Sequence, residues 1–265
     1  MPIKDKIRLG RKWDGGYVVY KKALDKTDVL MTYGVGWDVA FEEDFNRITG
    51  KEVYMFDPTL FGKYMLDSTF LKKQLSNLEL RAAAGSLVKI WKAWRKRKAL
   101  KQKRVYFVNE GISRAPRKKY NTFEAHVKRF NLQGKSALLK IDIEGNEIHI
   151  FGEPAIYQHL GSVNQIILEI HSLKHRLRRF QQIFQRLRAD FELIHVHGVN
   201  TVPTFVLYGQ SAEDDVVAPD TMEVTFVRRS LIDPADVLSE SIVYPVSGLD
   251  FPNDPNEKDC SLAFI

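Results

Sequence analysis

An apolar run that ends in two closely spaced glycines constrains the fold of this chain more than any other feature. Residues 29–33 are suited to a buried strand, and Gly34, Gly36 and Asp38 follow directly. Residues 40–48 then have the pattern of a helix with acids in its first turn, which the positive end of a helix dipole favours. A strand, a glycine-containing turn and a helix in this order are typical of the first unit of a nucleotide-binding α/β fold.

The rest of the chain continues the alternation of apolar strands and helices. Further strands are predicted at residues 53–56, 105–108, 136–141, 165–171, 191–197 and 222–227, with a short extended run at 205–207. Helices are predicted at 64–75, at 146–160 despite Pro154, at 173–187, and from an Asn121 or Thr122 cap to Phe130. This alternation predicts a mostly parallel seven-stranded sheet with helices on both faces, and an antiparallel pair at one edge because the last two strands lie close together.

Length and composition favour a single domain over residues 1–265. The chain is 44% hydrophobic, contains one cysteine, Cys260, and has no run of roughly 18 apolar residues, so a soluble cytoplasmic protein without a transmembrane segment is expected. Within the domain we expect an N-terminal arm at 1–27, a basic helical insertion at 75–103 and a C-terminal extension at 230–265. The turn Asp14-Gly15-Gly16 predicts either a simple hairpin or an arm folded over the active-site edge.

The net charge of +7 comes from one segment. Residues 89–104 hold nine basic residues and no acid, and removing those nine charges leaves −2. Leu87, Ile90, Trp91 and Trp94 recur there at helical spacing, which predicts an amphipathic cationic helix. The helix either packs its tryptophans on the domain or binds an anionic membrane surface or an acidic, lipid-linked glycan, which would place the protein peripherally on the membrane. A groove-type partner and nucleic acid are less expected.

Polar residues gather where the predicted strands end. In a parallel α/β sheet the chemistry lies beyond the carboxyl ends of the strands, beside the first one. The residues at these ends are Gly34, Gly36, Asp38, Asp57, Asn109, Glu110, Gly111, Asp142, Glu144, Glu169, His171, His195, His197 and Asn200.

Two nucleotide cofactors fit the first two strand ends. Asp57 lies about 20 residues after the glycines and suits a ribose diol, as in dinucleotides and in S-adenosylmethionine. Val39 occupies the place of the third glycine of a dinucleotide fingerprint, and Asp38 would repel a pyrophosphate. An acid there suits a cationic amino-acid group instead, so charge favours S-adenosylmethionine.

Several motifs together resemble one family, the FkbM-type (Methyltransf_21) S-adenosylmethionine-dependent methyltransferases. The matching stretches run in order from residue 8 to about 230, and the Lys-Ile-Asp-x-Glu-Gly block at 140–145 is the most specific. They are Arg8-Leu9-Gly10-Arg11, Asp14-Gly15-Gly16-Tyr17, Tyr33-Gly34-Val35-Gly36-Trp37-Asp38, Phe41-Glu42, Phe56-Asp57-Pro58-Thr59, Leu139-Lys140-Ile141-Asp142-Ile143-Glu144-Gly145-Asn146-Glu147, Leu168-Glu169-Ile170-His171, His195-Val196-His197-Gly198, Asn200 and Glu223-Val224-Thr225-Phe226.

The resemblance implies a class I methyltransferase (Rossmann-like) fold and methyl transfer to a hydroxyl, often on a sugar or natural product, as in polysaccharide biosynthesis. Carried over to this sequence, the donor would be lined by Gly34, Gly36, Asp38 and Glu42, with Asp57 at its ribose and Asn109 and Glu110 at its adenine edge. The acceptor would be bound by Arg8, Arg11, Asp14, Tyr17 and Asn200. The sequence departs from the family pattern at Val199, where asparagine is expected, and by its long insertion.

Two ways of activating the acceptor hydroxyl follow from the strand ends. His171 or His197 could act as a general base. Alternatively, Asp142, Glu169 and His171 could bind a divalent ion such as Mg, Mn or Zn that lowers the pKa of the hydroxyl. The catalytic candidates are therefore Asp142, His171 and His197. The competing hypothesis is a non-catalytic adaptor that uses the basic helix on a methyltransferase-like core.

Overall fold

The computed structural model describes residues 1–36, 38–59, 104–207 and 216–263. The predicted helix at 64–75 and the basic insertion at 75–103 lie outside the described residues, and so does the membrane or glycan role predicted for that insertion. None of the described helices is both long and apolar enough to span a membrane.

The described residues form strands, helices and short 3₁₀ turns that follow one another along the chain. The strands are β1 (Lys6–Leu9), β2 (Tyr17–Tyr20), β3 (Val29–Tyr33), β4 (Glu52–Phe56), β5 (Val105–Val108), β6 (Gly111–Ile112), β7 (Tyr120–Asn121), β8 (Ala137–Ile141), β9 (Val163–Ile170), β10 (Phe191–Gly198), β11 (Thr204–Leu207), β12 (Val216–Pro219), β13 (Met222–Arg228), β14 (Val243–Tyr244) and β15 (Leu262–Ala263). The helices are α1 (Lys21–Asp25), α2 (Ala40–Thr49), α3 (Phe123–Arg129), α4 (Glu147–Phe151), α5 (Pro154–Gln158) and α6 (Leu173–Leu187), with 3₁₀ turns at Leu160–Ser162, Arg229–Leu231 and Pro234–Asp236.

Seven strands form the central sheet in the order β10-β13-β9-β8-β3-β4-β5. All neighbours are parallel except β13, which runs antiparallel to both β9 and β10. Numbered along the chain, these strands read 3-2-1-4-5-7-6, which is the order of the class I methyltransferase fold, and the order reverses between β3 and β8 as in other doubly wound sheets. The predicted fold class is confirmed, and the antiparallel pair lies at one edge, with β13 as its inner member.

The two faces of the sheet are covered by different elements. One face packs against α3 to α6 through side chains such as Phe123, Phe151 and Phe180. The other packs against α2 and the β1–β2 hairpin, with Phe41, Phe45 and Tyr17 in its core. Because every strand between these layers is buried on both sides, the sequence reads as near-continuous apolar runs rather than as an alternation.

Helix and strand bounds agree closely with the sequence pattern except in one region. The predicted helix at 146–160 is wrong: α4 ends at Phe151 and α5 begins at Pro154, its first residue. Proline lacks the N–H that would continue the earlier helix, and its ring would collide with the preceding turn. The run at 205–207 belongs to β11, which pairs with β12, and the N-terminal arm is a hairpin in which β1 pairs with β2.

Candidate functional site

The carboxyl ends of the central strands form a rim with two sides. We call the ends of β3, β4 and β5 the glycine side. The histidine side consists of the ends of β8, β9 and β10 and the beginning of β13. Every predicted site residue except those of the hairpin lies at or beside one of these strand ends, so the sheet order brings them to a common edge.

Gly34 and Gly36 perform different tasks on the glycine side. Both have positive φ, +76° and +59°. A Cβ on Gly34 would lie 1.5 Å from the carbonyl oxygen of Asp142, so this glycine is required by the contact between β3 and β8. Among the residues that the structure describes, none has an atom within 4 Å of a Cβ placed on Gly36, which is itself exposed. The exposed backbone at Gly36 therefore leaves space in which a ligand can approach the chain closely.

Asp57 lies beside that space, at the end of β4. Its Oδ2 accepts a hydrogen bond from Gly36 N at 3.2 Å, and its Oδ1 accepts from the backbone N and the hydroxyl of Thr59, both at 2.7 Å. The side chain is almost fully buried. These bonds hold the carboxylate in one orientation next to the open backbone, as a ribose diol would require.

Two other acids of the glycine side already have partners in the protein. Asp38 Oδ1 accepts from Ala40 N at the start of α2, and its Oδ2 is paired with Arg11 at 2.6 Å. Glu42 is buried and accepts from the Thr32 hydroxyl at 2.8 Å, and burial raises its pKa. Glu42 thus lies in the core beneath the rim rather than on its surface.

At the end of β5, Asn109 is exposed, whereas Glu110 contacts side chains of α3. Glu110 forms an ion pair with Arg129 of α3, and its Oε2 lies 3.4 Å from Nε2 of the buried His126. Burial alone would raise the pKa of Glu110, but Arg129 and His126 outweigh it and lower the pKa. His126 was not predicted from the sequence. Its ring lies against Phe56 and Tyr33, and burial lowers its pKa to about 4.

Tyr17 connects the hairpin to the histidine side. Its hydroxyl lies 3.0 Å from Glu169 Oε2 and 3.3 Å from Asp142 Oδ2, and it can donate its one proton to either. Lys140 lies over the Tyr17 ring at 4.5 Å and 3.7 Å from Asp142. Burial, followed by the negative charge of Asp142, raises the pKa of Glu169 well above its usual value. The hairpin therefore closes over the rim and reaches its charged centre.

His171 is surrounded by carboxylates. Its Nδ1 lies 3.2 Å from Glu147 Oε1, while its Nε2 lies 3.5 Å from Glu169, 3.7 Å from Glu144 and 4.0 Å from Asp142. Burial alone would lower the pKa of His171, but these acids, Glu147 first, raise it to about 9. A protonated imidazole cannot accept a proton, so at neutral pH this arrangement does not provide a free histidine base.

His197 has a similar environment but deeper burial. Its Nδ1 faces Glu223 at 3.2 Å and its Nε2 faces Asp259 at 3.0 Å. Burial alone would lower its pKa, but hydrogen bonds to Asp259 and Glu223 raise it to about 10. Neighbouring His195 lies 2.7 Å from Asp250, yet burial dominates there and lowers its pKa. Both histidines bind the C-terminal extension to the sheet.

The sequence predicted a C-terminal extension at 230–265 but did not indicate that this extension contacts the site. Besides the two histidine contacts, Asn200 donates to Asp254 O and accepts from Asp254 N, while Asn253 donates to Glu223. Asn200, predicted to bind substrate, is therefore placed against the extension. The Asp and Asn residues of 250–259 gave no recognisable motif, since their partners lie on distant strands.

The hairpin loop and the extension meet at an exposed aromatic pair. Trp13, which is 43% exposed, packs edge to face on Phe251 with 6.1 Å between ring centroids. Arg8 donates to the carbonyl oxygens of Arg11, Trp13 and Leu249, so it ties the loop to the extension. Asp14 is exposed. This rim offers an aromatic face and cations to a ligand in solvent.

A possible metal-ligand set differs from the predicted one at one position. Among the residues that the structure describes, Asp142, Glu144 and His171 each offer a ligand atom within 4.8 Å of the others. Glu144 thus joins the set, and Glu169 lies beside it, 3.5 Å from His171 Nε2. Glu144 has a φ of +56°, a costly conformation for a residue with a side chain. Oxygen and imidazole ligands of this kind suit Mg, Mn or Zn.

Comparison with known proteins adds little to this geometry. No protein-family model matches the sequence. No curated protein matches it either. Among solved structures, the chain is similar to an rRNA methylase from Streptococcus thermophilus, with 10% identity, 78% of this chain and 92% of that chain covered, and a TM-score of 0.37. At this TM-score the likeness carries no argument about function.

Proposed function

We propose that this chain is an S-adenosylmethionine-dependent methyltransferase that methylates a hydroxyl group of a sugar or glycan. The observation that carries the proposal is the open backbone at Gly36 beside the oriented, buried carboxylate of Asp57, at the switch point of a sheet with the 3-2-1-4-5-7-6 order. The FkbM-type resemblance of the sequence motifs supports the same donor.

The residues of the glycine side fit this donor. Asp57 would bind the ribose hydroxyls, Gly34 and Gly36 would allow the methionine portion to lie against the backbone, and Asn109 and Glu110 would face the adenine edge. Asp38 is paired with the exposed Arg11. Its carboxylate can therefore neutralise either that guanidinium or the donor's amino group, and donor binding would release Arg11.

The histidine side would orient the acceptor. Methyl transfer forms a bond between the acceptor oxygen and the methyl carbon, breaks the sulfur–methyl bond, and leaves S-adenosylhomocysteine as the neutral thioether. The hydroxyl proton must go to a base at the same time. Tyr17, Asp142 and Glu169 lie where an acceptor hydroxyl could be held by hydrogen bonds, and such positioning contributes much of the rate in reactions of this type.

We further propose that a cation assists this step. Without counting Glu169, whose pKa is raised by burial, Asp142, Glu144 and Glu147 still place more negative charge around His171 than one imidazolium and the nearby Lys140 can neutralise. A divalent ion held by Asp142, Glu144 and His171 would supply Lewis-acid activation of the hydroxyl. Glu147 would then orient His171 through Nδ1, as outer carboxylates do for metal-binding histidines.

Calorimetric titration with S-adenosylmethionine tests the donor assignment. Asp57→Ala removes a charged acceptor of two hydroxyl bonds, and we expect about 3 kcal/mol of binding, roughly a hundredfold in Kd, to be lost. Asp57→Asn keeps the shape of the side chain and removes its charge, so it distinguishes loss of the charge from loss of the bonds that Asp57 forms with Gly36 and Thr59. Asp28→Ala is the matched control, since Asp28 contacts Ser136 at the opposite end of the sheet.

Two outcomes would contradict the proposal. If the unmodified chain does not bind S-adenosylmethionine, the adaptor hypothesis replaces the enzyme. If Asp57→Ala and Asp28→Ala bind the donor equally well, the donor lies elsewhere. The acceptor is sought by incubating the protein and donor with glycan libraries and detecting a mass gain of one methylene group.

A further inference from the structure

The solvent-exposed face of α6 carries several positively charged side chains and no acid of its own. Lys174, His175, Arg178 and Arg179 are exposed, as is Arg188 just beyond the helix. No acidic residue occurs from Ser172 to Ala189. The other exposed positions of the helix are Gln181, Gln182, Gln185 and Arg186, and Arg186 donates a hydrogen bond to Gly152 O. The face is therefore cationic along its whole length.

This charge pattern is unfavourable for the helix itself. Helix α2 has acids in its first turn and an Asp44–Arg47 pair, and α3 has Glu124 in its first turn paired with Lys128. Helix α6 has no acid in its own first turn, and the Asp220 carboxylate bonded to Lys174 N is the acid that meets its dipole there, while the cations of the outer face repel each other. No carboxylate of the described residues forms an ion pair with Lys174, Arg178 or Arg179. The positive face is thus uncompensated within the described part of the chain.

The first turn of α6 does not itself offer free backbone donors. Asp220 accepts bonds from Leu173 N through its carbonyl oxygen and from Lys174 N through Oδ1. The available binding groups are therefore the side chains on the outer face. Because an α-helix rises 1.5 Å per residue, Lys174 lies about 6 Å from Arg178 and about 21 Å from Arg188 along the helix axis. This spacing suits an extended ligand rather than a single small ion.

The position of the helix connects this face to the proposed acceptor site. Helix α6 begins two residues after His171 and runs away from the rim along one face of the sheet. A polymer whose reacting unit lay beside His171 could continue over Lys174 and His175 and then over Arg178 and Arg179. The cationic face is in this sense a continuation of the histidine side of the rim.

The surroundings distinguish between classes of anionic partner. Leu173, Phe180, Ile183 and Leu187 of α6 are buried against the sheet, so the helix has no apolar face left to enter a membrane. None of the exposed large apolar side chains of the described residues lies on α6. Proteins that bind single-stranded nucleic acid stack bases on exposed aromatic rings, which this face lacks. Arginine and glutamine side chains suit sugar carboxylates and hydroxyl groups.

We propose that the exposed face of α6 binds a negatively charged polysaccharide, a chain of sugars bearing carboxylate groups, that extends from the acceptor site. This inference rests on the proposed function, because it names the acceptor of the same reaction. Binding along α6 would hold several sugar units while one hydroxyl group is presented at the rim. The substrate class is then an acidic polymer rather than a neutral sugar or a small molecule.

Binding of labelled polygalacturonate oligosaccharides by fluorescence anisotropy at low salt tests the proposal. The double variant Arg178→Gln with Arg179→Gln keeps helix-favouring side chains and removes two charges. We expect its affinity to fall roughly tenfold. The double variant Lys21→Gln with Lys26→Gln is the matched control, since it removes two exposed charges at α1, on the opposite face of the sheet. Neutral dextran should not bind to any of these proteins.

Three results would overturn the proposal: equal losses in the two double variants, no binding of polygalacturonate at low salt, or tighter α6-dependent binding of poly(U), which would assign the face to nucleic acid. Titration of the same variants with S-adenosylmethionine separates this failure from that of the proposed function. If the α6 double variant loses polysaccharide binding but still binds S-adenosylmethionine normally, the effect is confined to the α6 surface. If the unmodified protein binds polygalacturonate through α6 but does not bind S-adenosylmethionine, the methyltransferase proposal is refuted and the polysaccharide-binding surface still stands.

Discussion

The two sides of the rim are built by contacts of very different range along the chain. On the glycine side, Asp57 contacts Gly36 across 21 positions and Thr59 across 2, and Asp38 caps Ala40 across 2. On the histidine side, Tyr17 contacts Asp142 across 125 positions and Glu169 across 152. The longest contacts therefore belong to the histidine side, although its pairs His171–Glu147 and His197–Glu223 span only 24 and 26 positions.

Gly34 is where the two sides meet, and its replacement should have the largest effect. Gly34→Ala adds a Cβ 1.5 Å from Asp142 O at a φ of +76°. Gly134 has the same φ, and no atom of the described residues would lie within 4 Å of its Cβ, so Gly134→Ala isolates the backbone cost, about 1–2 kcal/mol. We expect Gly34→Ala to lower the free energy of unfolding by about a further 3 kcal/mol, measured by urea denaturation. Equal losses in both variants would show that β3 and β8 separate easily.

On the histidine side, the raised pKa of His197 should make the free energy of unfolding depend on pH. Its folded-state pKa of about 10 exceeds the ordinary value of 6.5, so its contribution is full below pH 6.5 and is lost as the pH rises towards 10. His197→Gln should remove about 1.4 kcal/mol per pH unit from the slope of unfolding free energy in this window. Exposed His149→Gln is the control. An unchanged slope in His197→Gln would mean that Glu223 and Asp259 do not hold its proton.

Metal binding should depend on the outer carboxylate of the histidine side. Calorimetric titration with Mn²⁺ should show Glu147→Gln binding roughly 10 to 100 times more weakly than the unmodified chain, because His171 loses its orienting partner. Glu153→Gln removes an exposed acid of the same region, paired with Arg114, and serves as the control. Turnover should stop in chelator and return with added ion. Full turnover in chelator would contradict the metal.

Arg11→Gln should have the smallest effect, although it breaks a contact of 2.6 Å between the hairpin and the glycine side. The Arg11 side chain is 64% exposed, and exposed pairs contribute less than about 1 kcal/mol. We expect the Kd for S-adenosylmethionine to change by less than about fivefold, with a modest gain in affinity if the guanidinium competes for Asp38. A large loss of affinity would instead make Arg11 a donor ligand.

Much of the fold follows from the sequence because its signals are local. The strand at Val29–Tyr33 and the helix at Leu173–Leu187 were predicted at their observed bounds, since apolar runs and helical periodicity report burial directly. The split between α4 and α5 was missed because the helical pattern of apolar residues continues across Pro154. The missing N–H of Pro154 ends the helix even though the apolar residues around it keep helical spacing.

The contacts of the candidate site were less predictable the farther apart their residues lie along the chain. Asp57 and Gly36 could be paired from their spacing, whereas His197 could be placed at a strand end but not matched with Asp259. His126 gave no signal, because a histidine in the middle of a helix looks like any polar surface residue until the fold buries it. The raised pKa of His171 likewise depends on Glu147, Glu169 and Asp142, whose side chains a sequence pattern does not orient.

The dependence of His195 and His197 on the C-terminal extension has a consequence for synthesis on the ribosome. The partner carboxylates Asp250 and Asp259 follow these histidines by 55 and 62 positions. Synthesis runs from the N-terminus, so β10 and its two histidines are made before either carboxylate exists. A buried polar group without its partner is costly, so we expect β10 to be held stably in the sheet only once residues 250–259 are available.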